Sequence, residues 1–143
     1  MSDVKSVERP APPQGSRDSA FFWEGVGREV LLGQQCTGCK RFRHPPRPLC
    51  PHCRSFEWKA VELSGRGTVH SWVKPIHPPL PMFPEGYLVA LIDLEEGIRL
   101  LSNLCEIEPD DVENGMSVEV FFAPTRDGGR IHQFRPTQEA RRG

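Results

Sequence analysis

The chain has 143 residues, 37% of them hydrophobic and 26% charged, with a formal net charge of −1. That is room for one ordinary domain or two very small ones, with the composition of a soluble globular protein. No apolar run approaches the ~20 residues of a membrane-spanning helix, and residues 1–15 lack the apolar core of a signal peptide. The expectation is a cytoplasmic protein with no membrane association, and in that reducing setting clustered cysteines more often bind metal than form disulfides.

Residues 1–15 are polar and rich in Pro and Ser, which reads as a disordered lead. Over 16–33 the chain predicts a short amino-terminal helix and a connector. Ser16, Asp18 or Ser19 is placed to cap the helix, and Phe22 and Val26 recur at helical spacing. Gly25 and Gly27 limit its length. Val30 to Gln35 then predicts a strand leading into a cysteine cluster.

The cluster, within residues 34–60, reads Cys36-x2-Cys39-x10-Cys50-x2-Cys53. Each C-x2-C turn aims two sulfurs at one point, and two facing turns supply a tetrahedral site suited to a structural Zn²⁺. Gly38 is expected to relax the first turn and Pro51 to stiffen the second. The alternatives are two disulfides, ligand-free thiols, or two CxxC redox pairs. With four thiolates available, His44 and His52 are expected beside the site and not in it. Charge is unevenly placed: Arg28–Arg54 holds six bases and one acid, whereas Val61–Pro136 holds twelve acids and six bases.

From residue 61 to 136 the period becomes two. Val69, Ser71 and Val73 are expected on one face of a strand, with His70, Trp72 and Lys74 on the other. Leu88–Leu94 reads as a strand buried on both sides. Glu95-Glu96-Gly97 supplies a turn, and Ile98–Leu104 returns as a third strand. Val118, Val120 and Phe122 mark a fourth, Asp127-Gly128-Gly129 a hairpin turn, and Ile131–Arg135 a fifth. Residues 137–143 read as a polar tail. Five short strands in ~75 residues, with a longer break after the third, suit a mainly β chain ending in a five-stranded OB-type barrel. A small sandwich or SH3-like barrel has a similar pattern.

Phe22-Trp23-Glu24, Cys36-Thr37-Gly38-Cys39, Pro45-Pro46-Arg47-Pro48-Leu49-Cys50-Pro51-His52-Cys53 and Ser64-Gly65-Arg66-Gly67-Thr68-Val69 occur in that order. Tyr87-Leu88-Val89-Ala90-Leu91, Leu101-Ser102-Asn103-Leu104, Gly115 to Val120 and Phe134-Arg135-Pro136 follow. In this the chain, from about residue 19 to 136, resembles the DUF35 family: a helix, a rubredoxin-like zinc ribbon and a carboxy-terminal OB-fold. The resemblance implies a non-catalytic companion of thiolase-like enzymes acting on acyl-CoA, including thiolases and the retro-aldolases of steroid side-chain breakdown. The partner would supply the catalytic groups, and the companion would help assemble the complex and hold a CoA thioester.

The residues carry part of that reading. No nucleophile sits in a recognisable local motif with a base, and Cys105, flanked by Leu104 and Glu106, reads as a small apolar residue. The stiff loop Pro75–Pro84 offers Ile76, Leu80, Met82 and Phe83 where polar residues are usual, so a partner surface or acyl chain is one target. The alternative is a lid over the barrel's own core. Phe22 and Trp23 are further contact candidates. Lys40, Arg41, Arg43 and Arg47 are candidates for the phosphates of CoA, against an ordinary solvated surface. Single-stranded nucleic acid is the alternative ligand of an OB-fold, with Trp72 and Lys74 as its platform, but the acidic body argues against it.

Overall fold

The computed structural model describes Arg9 and residues 15–79, 81, 83 and 86–142. The expectations for Leu80 and Met82, and for nearly all of the lead, fall outside the described residues. Helix α1 (Ala20–Gly27) buries Phe22, Gly25 and Val26, the i, i+3, i+4 stripe of an amphipathic turn. Ser19 occupies the N-cap position without a side-chain cap bond. Gly25 is required by packing: a Cβ there would lie 2.8 Å from Leu32 Cδ1 and 2.9 Å from the Val30 carbonyl.

Strand β1 (Leu32–Cys36) is the centre of a three-stranded antiparallel sheet, between β2 (Phe42–Arg43) and β3 (Trp58–Glu62). Gln34 faces Arg43 on one side and Ala60 on the other. The sheet reaches Glu62, which pairs with Leu32.

The second unit is a closed barrel of β4 (Arg66–Val73), β5 (Leu88–Leu94), β6 (Arg99–Leu104), β7 (Ser117–Pro124) and β8 (Arg130–Pro136), in the order β4-β5-β6-β8-β7. The connection from β6 to β7 carries a 3-10 turn, Pro109–Asp111. Only Leu104 and Phe134 pair across β6 and β8, in parallel. Elsewhere along that seam side chains fill the gap: Ser102 Oγ donates to the His132 carbonyl, and Gln133 Nε2 donates to Asn103 Oδ1. Helix α1 covers the seam, with Phe22 edge-on to the His132 ring at 5.3 Å. Leu88, Ile92, Val118 and Phe134 are at most 2% exposed and form the barrel's core with Val69, Leu100 and Leu104; full burial of such a side chain contributes about 1.5–3 kcal/mol.

Two expectations are corrected. A β-bulge between Val69 and Ser71 leaves His70 as the extra residue, so the face alternation reverses there. Val69 is buried, but beyond the bulge Trp72 turns towards the core and Val73 is 60% exposed. Strand β5 is not buried on both faces: Leu88, Ala90, Ile92 and Leu94 point inward, while Val89, Leu91 and Asp93 are half-buried outside. The carboxy-terminal residues form a short helix, α2 (Gln138–Arg142), whose Arg141 pairs with Glu106 at 2.9 Å. Within the lead, Arg9 lies beside Thr125 as a parallel bridge, its N–H donating to the Pro124 carbonyl.

Candidate metal centre and docking residues

Each C-x2-C turn closes in the same way. The Lys40 N–H donates to the Cys36 carbonyl and the Arg54 N–H to the Cys50 carbonyl. Lys40 (φ 69°) and Arg54 (φ 65°), each just after the second cysteine, take the left-handed conformation. Gly38 does not; its role is clearance, since a Cβ there would approach Cys53 Sγ to 3.3 Å.

The two knuckles bring all four sulfurs within 4.8 Å of one another, with Cys36–Cys53 at 3.4 Å and Cys39–Cys50 at 3.7 Å. These separations exceed the ~2.05 Å of a disulfide. They match the corners of a tetrahedron with ~2.3 Å metal–sulfur bonds. Four thiolate donors with no open position fit a structural zinc ion. Backbone N–H groups already favour the charged sulfurs: the Cys39 N–H holds Cys36 below the usual thiol range, and the Cys53 N–H helps bring Cys50 down to about 6. Cys53 receives the Ser55 N–H but is pushed up to about 11 by the crowding sulfurs of Cys36, Cys50 and Cys39 and by partial burial. A cation at the centre removes that repulsion.

The basic residues separate. Lys40, Arg41 and Arg47 are exposed, whereas Arg43 is 7% exposed. Arg43 Nε and Nη2 donate to the Arg47 carbonyl at 3.0 and 2.8 Å. The Gln34 side chain, 2% exposed, takes the Arg47 N–H and donates to the same carbonyl, both at 2.8 Å. Arg43 is therefore a brace inside the ribbon and not a surface group for a phosphate. In the sequence nothing but an inward strand position marks Gln34.

The apolar candidates separate too. Phe22 is 4% exposed, with its ring between His44 at 5.4 Å and His132 at 5.3 Å, so it is core and offers no contact surface. Trp23 is half-buried, 5.8 Å from His132. Ile76 is 77% exposed, whereas Phe83 stacks on Tyr87 at 4.6 Å and lines a cleft of about 210 Å³ with Leu104 and Cys105. Phe83 thus rests on Tyr87 beside the cleft, and Ile76 stands open to solvent. Trp72 is turned into the core, which removes it from any nucleic-acid stacking platform.

Burial lowers the titration of both histidines around Phe22. His132 falls to about 4, its ring held by the Leu101 backbone and disfavoured further by His44. Cys105 is pushed up by burial, and its thiol donates to Gln133 Oε1 at 3.1 Å, the reverse of an activated nucleophile. The motif glycines are structural: a Cβ on Gly65 (φ 80°) would meet Val120 at 2.4 Å, and one on Gly67 the Asp93 carbonyl at 2.4 Å.

Two family descriptions match consecutive parts of the chain: the ChsH2 rubredoxin-like zinc ribbon domain over residues 23–59 and the ChsH2 carboxy-terminal OB-fold domain over 60–123. A DUF35 domain-containing scaffold protein of Methanothermobacter thermautotrophicus is 35% identical over 71% of this chain and 78% of its own length. A probable enoyl-CoA hydratase alpha subunit of Thermomonospora curvata is 44% identical over 90% of the chain. The chain spans only 40% of that relative. The benzoylsuccinyl-CoA thiolase subunit BbsA of Thauera aromatica is 28% identical over 89% of the chain and 90% of its own length. Among solved structures, a chain of the Ltp2-ChsH2(DUF35) aldolase superposes with a TM-score of 0.84 at 44% identity, covering 87% of this chain and 98% of that one. No described helix is long and apolar enough to cross a membrane.

Proposed function

The chain belongs to the DUF35 family of zinc-ribbon and OB-fold proteins, and on that premise we propose that it is a non-catalytic accessory subunit of a thiolase-superfamily enzyme of acyl-CoA metabolism. The observation that carries the reading is the likeness, over 90% of its own length, to a subunit named for an acyl-CoA thiolase, with the close superposition on a chain of a two-component aldolase. Steroid or aromatic acyl-CoA breakdown is the expected setting and the cytoplasm the expected place. The zinc holds the ribbon's shape and takes no part in turnover, because four thiolates fill its coordination sphere. Exposed Lys40, Arg41 and Arg47 are the remaining candidates for CoA phosphates, and Ile76 and Trp23 for contact with a partner or acyl chain.

The test is reconstitution. Alone, the chain is expected to show no thiolase, aldolase or thioesterase turnover; with its enzyme subunit it raises that subunit's activity or soluble yield. Turnover by the chain alone would overturn the proposal. The alternative of single-stranded nucleic acid predicts micromolar binding with a steep salt slope; on the present reading DNA and RNA bind no better than about millimolar at physiological salt, weaker than the ~10⁻⁴–10⁻⁶ M of non-specific binding.

A further inference from the structure

The outer surface of the barrel is finished differently on its two sides. On β7–β8 the outward aromatic Phe121 lies under the Arg135 guanidinium, 5.1 Å from its centroid. Arg135 also pairs with Glu119 at 3.2 Å and Glu106 at 3.5 Å, and Glu106 with Arg141. A charged lattice thus covers the aromatic ring there.

On β4–β6 nothing comparable among the described residues covers the apolar groups. Past the bulge, Val73 pairs with Val89, and Leu91 with Leu101 on the next strand. All four point outward, and same-face neighbours on paired strands lie ~4.5–5.5 Å apart, so they form one surface. Val73 is 60% and Leu101 59% exposed. Ile76, at 77%, extends the chain beyond Val73. These are three of the five large hydrophobics that stand exposed among the described residues. The charges at one rim are already neutralised: Asp93 holds Arg99 at 2.6 Å and lies 3.4 Å from His70.

We infer that this face, Val73, Val89, Leu91 and Leu101 with Ile76, is where the acyl-CoA enzyme subunit seats; the inference rests on the accessory role proposed above. The relatives point to that occupant over a second copy of the chain: the solved chain it superposes on belongs to an aldolase of two different components, and the thiolase relative is itself named as a subunit. Contiguous exposed apolar groups of this kind mark interaction sites.

The experiment uses the full chain in the cells that naturally make it, with the photo-cross-linker p-benzoylphenylalanine replacing Leu101 or, on the other side of the barrel, Glu119. Illumination is expected to join position 101, and not 119, to a thiolase-superfamily subunit identified by mass spectrometry. Leu101→Lys and Val73→Lys are each then expected to weaken binding of that purified subunit at least a hundredfold. Zinc content and melting temperature of the free chain stay unchanged, which separates lost docking from lost folding. Adducts from 119 alone, or from neither position while the enzyme co-purifies, overturn the docking face and leave the accessory role standing. Adducts from 101 to another copy of this chain, or to a protein outside acyl-CoA metabolism, overturn the inference. If no acyl-CoA enzyme co-purifies at all, the accessory role falls with it.

Discussion

The ribbon and the barrel are both small β-structures, but they are held by different physics. Among described residues 34–60, the buried side chains are two cysteines, Gln34 and Arg43. Two of those are metal donors and two clamp the Arg47 backbone. Their apolar support comes from outside the ribbon, with Phe42 packed against the core cluster and Trp58 4.8 Å from Phe21 of α1, so within its own residues the sheet depends on the metal and a few hydrogen bonds. The barrel buries Val69, Leu88, Ile92, Leu100, Leu104, Val118 and Phe134 around one centre and contains no candidate metal cluster among its described residues. A module of about 30 residues cannot bury enough surface to fold alone, whereas one of about 75 can. Size therefore decides which of the two needs a metal.

The sharpest way to break this comparison is at the thiolates. Cys39→Ser or Cys50→Ser is expected to abolish stoichiometric zinc and unfold the ribbon, residues 34–60, while amides of the barrel strands stay protected from exchange. Structural zinc sites contribute on the order of 10 kcal/mol to folding. A variant retaining one zinc per chain with an intact ribbon would remove the ligand assignment. The converse change is Phe134→Ala, at 0% exposure in the barrel core. It should cost about 3–5 kcal/mol by denaturant titration. Zinc content measured under native conditions should stay at one per chain, and metal loss in step with the barrel would show that the two units are not energetically separate.

A third test addresses the contact between the units. His132 titrates near 4 in the folded chain, below the unfolded value near 6.5. As pH falls the unfolded state takes up the proton first, so this contribution is complete above about 6.5 and is lost progressively towards 4. The limit is about 3 kcal/mol at ~1.4 kcal/mol per unit of pKa. Comparing the pH dependence of stability with that of His132→Gln isolates it from protonation of the thiolates. Equal slopes would show that the histidine is not held neutral. The smallest expected effect is Gly67→Ala, whose new Cβ meets the Asp93 carbonyl; overpacking of this kind costs about 1–3 kcal/mol. The loss should appear in the barrel's transition and leave the metal unaffected.

The sequence disclosed what depends on spacing and period. The cysteine pairs, the five barrel strands and the turn at Asp127-Gly128-Gly129 could be read because each is a local pattern. The reversal at His70 could not, because a bulge is one extra residue whose presence depends on the register of the partner strand. Trp72 and Val73 consequently exchange the sides that simple alternation assigns them. Phe22 was misplaced as a contact residue because aromatics at helical spacing look alike whether they face a seam or a partner. Arg43 looked like its exposed neighbours Arg41 and Arg47; only the fold of the 43–47 segment turns its guanidinium inward. The edge strands of the ribbon, two and five residues long, carry too few residues for a period to be seen.

A barrel in which two neighbouring strands, β6 and β8, share a single register pair is, in mechanical terms, a split ring. Four of its junctions are ladders of three or more register pairs, one of them bulged at His70, and the fifth, between β6 and β8, is a slit closed by the Leu104–Phe134 pair and plugged with His132, Ser102 and Gln133. A split ring is compliant across the slit and stiff elsewhere, so the barrel's breathing concentrates there. The clasp over the slit is α1, which also packs on β1 of the ribbon through Gly25. Gripping or releasing that helix changes the stiffness of the ring without moving any ladder, and amide exchange on either side of the slit is where the change is read.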